Sequence, residues 1–192
     1  MLDVGAMDAN TLHADCEHCA ALCCVAFPFE ASPEFAVEKP AGAPCPNLEG
    51  CGRCAIHAER EEQGFGGCIP YDCLGAGQRV VQQTFAGRTW MEDPTLLEPM
   101  LRAFEVMCPV HELIALLATA GRADLSPGDR QTLQRLVAEL DAVADAPLRP
   151  DALFRLHEID GQARTFLAGL RRYFAEARRR AAGGPPEDPK ST

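Results

Sequence analysis

Nine of the ten cysteines fall at positions 16, 19, 23, 24, 45, 51, 54, 68 and 73, and Cys108 alone lies outside that stretch. Thiolate sulfur is the ligand preferred by zinc, by iron–sulfur clusters and by Cu(I), and cysteines two residues apart let one turn present two sulfurs to one ion. Cys16-Glu-His-Cys19 and Cys51-Gly-Arg-Cys54 both have that spacing. Thiols gathered without a cation form a reactive patch or a set of repelling thiolates. A metal neutralises them, and in zinc-finger peptides this is worth about 10–16 kcal/mol of apparent folding free energy. Single cysteines also serve as small buried hydrophobes, but nine within 58 residues exceed a packing need. The stretch predicts metal.

Composition narrows the classes. Net charge is −10, which argues against phosphate-held nucleic acid as a partner. Residues 1–90 carry 5 basic and 12 acidic side chains, so the cysteine-rich part is acidic before any thiol ionises and favours a cation. Met1–Asp8 lacks a basic region followed by an apolar one, so no signal peptide is expected, and no 18-residue apolar run predicts a membrane span. The expected location is cytoplasmic, where clustered thiols bind metal or do redox work rather than forming five bridges.

Ahead of Cys16, Asp8 or Asn10 could cap a helix over Thr11–Val25, on which Cys16, Cys19 and Cys23 would share one face. The alternative is a tight knuckle around Cys16 and Cys19. Prolines at 28, 33, 40, 44 and 46 predict a wrapped loop, with a short strand at Phe35–Val37. Cys54–Gln63 reads as a short helix stopped by Gly64, and Gln78–Phe85 as another ended near Gly87. Beyond residue 90 the spacing is helical. Pro94–Ala120 carries Leu97, Leu101, Phe104, Met107, Ile114 and Leu117, with Pro109 kinking or splitting it. Ser126-Pro127 starts a second helix along Leu133, Leu136/Val137, Leu140 and Val143. A third runs from about Asp151 to Arg180 along Leu153, Leu156, Phe166/Leu167, Leu170 and Phe174. The fold expected is mostly α: an irregular Cys-rich metal-binding module over 1–90, a C-terminal helical bundle over 91–182, and a disordered tail over 183–192.

The ordered phrases Cys16-x-x-Cys19-x-x-x-Cys23-Cys24, Cys45-x-Asn-Leu, Gly-Arg-Cys54-x-Ile-His57-x-x-Arg60, Cys68 and Cys73 resemble the YkgJ-type cysteine cluster family, whose CxxCxxCC domains are described as zinc- or iron-chelating. The resemblance covers roughly residues 12–120. It is strongest to versions at the head of actinobacterial pentapeptide-repeat proteins, through Ala26-Phe-Pro-Phe, Lys39-Pro-Ala-Gly and Tyr71-Asp-Cys73-Leu-Gly-Ala-Gly-Gln78. It implies Cys16, Cys19, Cys23, Cys24, Cys45, Cys54, Cys68 and Cys73 as ligands to zinc or iron, enough for two tetrahedral sites or for a four-iron cluster plus one zinc.

The chain departs from the family pattern in places. His57 and Glu61 replace a tyrosine and a proline, Cys51 and Cys108 have no counterpart, and no pentapeptide array follows. His57 is either a nitrogen ligand or a surface histidine. His18 is expected to point outward, His111 and His157 to sit at the edge of the core, and Cys108 to be a buried thiol.

The function expected is metal binding through a multi-cysteine cluster. The alternatives are an iron–sulfur redox protein or enzyme component, and a thiol redox switch at Cys23-Cys24. Gly75-Ala-Gly77 reads as a turn, Glu59–Glu62 as a solvated face, and Arg178–Arg180 as a helix terminus. No Ser–His–Asp or paired-carboxylate arrangement marks a catalytic site. The partners expected are a metal ion and a protein met through the helical half, with no nucleic acid or membrane.

Overall fold

The structure, a computed structural model, describes residues 12–171 and 173. The capping residues Asp8 and Asn10, the end of the last helix with Phe174 and Arg178–Arg180, and the 183–192 tail lie outside the described residues.

The fold is mostly helical. Among the described residues there are five α-helices, with isolated bridges Phe29↔Lys39, Ser32↔Phe35 and Leu48↔Cys54 in place of strands. The first is a single turn, α1 (Leu22–Ala26). A helix through Cys16 and Cys19 does not form. Ala20 and Ala21 take positive φ values of 48° and 53°, and left-handed residues cannot continue a right-handed helix. The chain instead makes the knuckle. Cys54–Gln63 is a run of turns rather than a helix, because Ala55 gives its N–H to Asn47 and His57 and Glu59 bond only three residues back. Gly64 does break the chain there, at φ +76°.

α2 (Ala76–Arg79) begins on Gly75, at φ +85°, and widens into a π turn over Val80–Thr84. α3 (Leu97–Ala120) is continuous through Pro109 and buries Met100, Phe104, Met107, Val110, Ile114 and Leu117. α4 (Pro127–Ala144) starts as the sequence predicts, with the Ser126 side chain accepting from the Asp129 N–H and Pro127 in the first turn. α5 (Ala152–Gly169) buries Ala152, Leu156, Ile159 and Ala163. Leu153, expected on the inner face, is 50% exposed beside Phe154 at 67%, because the helix enters with Ala152 inward.

α3, α4 and α5 pack on one another, and α1 and α2 pack on α3. Ala20, Leu22, Ala76, Val80 and Val81 share one apolar core with the three long helices, so the cysteine-rich part and the bundle are buried together. Arg79 of α2 reaches Asp141 and Asp145 of α4, both at 3.2 Å. Pro94–Ala120 is long and apolar enough to cross a membrane, although the sequence holds no unbroken apolar run of that length. The same composition suits the central helix of a core, and 56% of its most apolar window is buried in the fold.

Candidate metal centre

The knuckle at Cys16–Ala21 is held from two sides. Trp90 donates its indole N–H to the Ala20 carbonyl at 2.7 Å. Gly77 of α2 lies so close that a Cβ on it would stand 2.8 Å from Cys19 Cβ. Those contacts fix Cys19, which is buried, while Cys16 is exposed. The Cys19 thiol donates toward the Cys16 carbonyl at 3.5 Å, and on α1 the Cys23 and Cys24 sulfurs are 3.9 Å apart.

The proline-rich loop returns the chain to this knuckle. Cys45 N–H donates to the Cys24 carbonyl at 3.0 Å, and Gly42 N–H to the Val25 carbonyl at 3.0 Å. The Leu48↔Cys54 bridge folds Cys54 back beside Cys45. Arg60 ties in the next segment, donating from Nε to the His57 carbonyl at 2.9 Å and from Nη1 to the Cys68 carbonyl at 3.3 Å. Phe29 and Phe35 stack with centroids 4.5 Å apart, and Phe65 meets both edge-on. Gly67 lets that stack close, since a Cβ there would stand 2.4 Å from the Phe35 ring.

The result is one cavity of about 620 Å³, lined by all eight candidate ligands, Cys16, Cys19, Cys23, Cys24, Cys45, Cys54, Cys68 and Cys73. His57, Arg60, Tyr71 and the phenylalanine wall complete it. Cys51 does not line it. It opens instead, with Cys16 and His18, onto a second cavity of about 190 Å³. Cys108 stands behind the wall, its sulfur 3.9 Å from the Tyr71 hydroxyl, and burial pushes its thiol up to about 12. All ten thiols are free. Among the described residues no three Cys, His, Asp or Glu side chains stand close enough together to hold one ion as they are oriented. The thiols that line the cavity are soft donors, the type that zinc, iron and Cu(I) take.

Electrostatics divide the thiols. The neighbouring Cys19 thiol holds Cys16 down to about 6, while Cys16 and burial push Cys19 up. The same asymmetry recurs next door: the bond from Cys23 lowers Cys24 to about 7, helped by the charges of Lys39 and Arg60, and raises Cys23. Burial raises Cys45 and Cys68. Each neighbouring pair thus holds one thiol lowered and one raised by the other.

Three residues of the site escaped the sequence reading as functional groups. Tyr71 packs edge-on against Phe27 at 5.2 Å, and burial raises its phenol. Arg60 ties the Cys54 and Cys68 segments together. Lys39 is 3% exposed and gives its ammonium to the carbonyls of Val25, Pro40 and Ala43 at 3.1, 3.1 and 2.8 Å. The signal for Lys39 was its rarity, with two lysines in the chain against sixteen arginines. His18 is exposed and paired with Asp15 at 2.8 Å, as an outward residue should be. His157 is exposed rather than at the edge of the core, and His111 is buried outright, 1% exposed, with Nδ1 2.6 Å from the Leu74 carbonyl.

No protein-family model matches this chain, and no solved structure matches it. An uncharacterized protein of Bacillus subtilis (strain 168), YybG, is 43% identical to it over 115 residues, a match covering 60% of this chain. The matched region spans 41% of that relative's length.

Proposed function

We propose that this is a cytoplasmic metal-binding protein whose cavity thiols coordinate zinc or iron. One observation carries the reading: the eight cysteines implied by the YkgJ-type pattern line a single cavity, and the two cysteines outside the pattern do not. Coordination at about 2.3 Å from sulfur requires the knuckle, the proline-rich loop and the Cys54–Cys73 segment to draw inward by rotamer changes and loop closure. Segments made of turns can do that. In this reading the metal fixes the turns and loops between α1 and α2, and coordination is the activity.

Elemental analysis of anaerobically purified protein tests it. About one to two equivalents of zinc or iron are expected, as four-thiolate sites would hold. Cys19→Ser and Cys54→Ser should each lose metal, whereas Cys51→Ser and Cys108→Ser should keep it. Protein without stoichiometric metal under these conditions would sink the proposal. A second reading, an iron–sulfur redox centre, is favoured by the size of the cavity, which exceeds what one ion needs. A brown preparation carrying acid-labile sulfide selects it, and a colourless zinc protein excludes it.

A further inference from the structure

We propose that Lys39 is the built-in counter-charge of one metal site, closed by Cys24, Cys45, Cys54 and Cys68, and that Cys16, Cys19, Cys23 and Cys73 form a second site without a lysine of its own. The proposal rests on the metal-binding reading above and divides its eight thiols.

The backbone makes the division. Cys24 and Cys45 are joined by the 3.0 Å bond from Cys45 N–H to the Cys24 carbonyl. Cys54 is folded onto the same turn through its bridge with Leu48, and Cys68 is held against the Cys54 segment by Arg60. The other four come from the knuckle and from the segment entering α2. Cys16 and Cys19 interact directly, Cys23 follows on α1, and Gly77, four residues after Cys73, packs on Cys19.

Lys39 sets the two groups apart. A buried ammonium is costly unless it is hydrogen-bonded and paired with an opposite charge. The hydrogen bonds are complete, because three backbone carbonyls take its three protons, and the Phe29 ring centroid lies 5.4 Å from Nζ. The opposite charge is not a carboxylate: among the described residues no Asp or Glu makes an ion pair with Lys39. Two of its acceptors, the carbonyls of Val25 next to Cys24 and of Ala43 two residues before Cys45, put the ammonium at the turn where Cys45 N–H bonds the Cys24 carbonyl. A divalent ion held by four thiolates carries two net negative charges. Lys39 at the Cys24–Cys45 turn and Arg60, bonded to the Cys68 carbonyl, supply two positive ones. Partners in the outer shell of a metal site change affinity about 10–100-fold when removed.

Cobalt(II) titration of the metal-stripped full chain tests this, because thiolate-bound cobalt absorbs strongly. Two equivalents are expected. Cys45→Ser should remove one and Cys73→Ser the other, and Lys39→Met should weaken by at least about tenfold the equivalent that Cys45→Ser removes, leaving the other within about twofold. Loss of the same equivalents in Cys45→Ser and Cys73→Ser would overturn the division. Unchanged binding, or equal weakening of both equivalents, in Lys39→Met would overturn the role of Lys39. Should Lys39→Met lose its helical circular dichroism, Lys39→Arg decides in its place: charge retained with affinity retained supports the role, and affinity lost despite a folded, charged variant refutes it. Absence of cobalt binding by the unsubstituted protein defeats the metal-binding reading itself, a result distinct from all of these.

Discussion

The thiols of this protein differ from one another through their immediate neighbours. Cys16 is exposed and held at about 6 by the neighbouring Cys19 thiol, so at neutral pH it is largely thiolate. Cys19 and Cys23 are pushed up by Cys16 and Cys24 and by burial, so they stay protonated. The thiolate is the nucleophile in alkylation. In chelator-treated protein at pH 7, brief iodoacetamide labelling followed by peptide mass spectrometry should therefore modify Cys16 well before Cys19 or Cys23. Preferential labelling of Cys19 would contradict the difference in exposure and acidity between the two. The sequence offered the C-x-x-C spacing but no such order, because exposure and hydrogen-bond direction depend on how Trp90 and Gly77 pack on the knuckle.

Among the elements, α4 shows most directly how a local signal becomes a tertiary contact. Ser126 caps the helix through Asp129 N–H, and its own N–H donates at 2.8 Å to the hydroxyl of Tyr173, which also bonds Asp129. A cap that would serve one helix thus also fastens the chain beyond α5. Ser126→Ala should lower stability by about 1 kcal/mol, the usual worth of such a cap, read as a shift in the urea midpoint. The helices legible from spacing were those stabilised by an apolar stripe, as Leu133, Leu136, Leu140 and Val143 show by being buried. The Cys54–Gln63 segment has helix-forming residues but no stripe, and its backbone groups are taken by Asn47 and by short turns.

At the scale of the whole molecule, His111 joins the helical half to the cysteine-rich half. Its Nδ1 meets the carbonyl of Leu74, directly after Cys73, while its Nε2 has no protein hydrogen-bond partner. Burial holds the ring below its ordinary pKa, opposed first by the bond to the Leu74 carbonyl, with Arg79 lowering it further and Asp141 raising it slightly. In the unfolded chain the ring takes a proton near 6.5. The sign follows: below that point the unfolded state binds more protons than the folded one, so the contribution of neutral His111 is present above about pH 6.5 and is lost as pH falls through the lower folded value. Urea midpoints of metal-free protein should accordingly fall as pH drops below about 6.5. The fall should be shallower in His111→Leu, and an equal slope in the two proteins would remove His111 as its source.

Read alone, the sequence determined the chemistry and the long helices: clustered thiols in an acidic segment, three stretches of helical apolar spacing, and the cap at Ser126. Those features are local, since residue type sets what a side chain can bind and the 3.6-residue period sets which face is buried. Only the tertiary structure decided between helix and knuckle at Cys16–Cys19, through the positive φ of Ala20 and Ala21. It also decided which cysteines share a cavity, and that Lys39 is buried beside them. Those outcomes depend on contacts between residues far apart in the chain, such as Trp90 on Ala20, Cys45 on Cys24 and His111 on Leu74, which spacing along the chain does not encode.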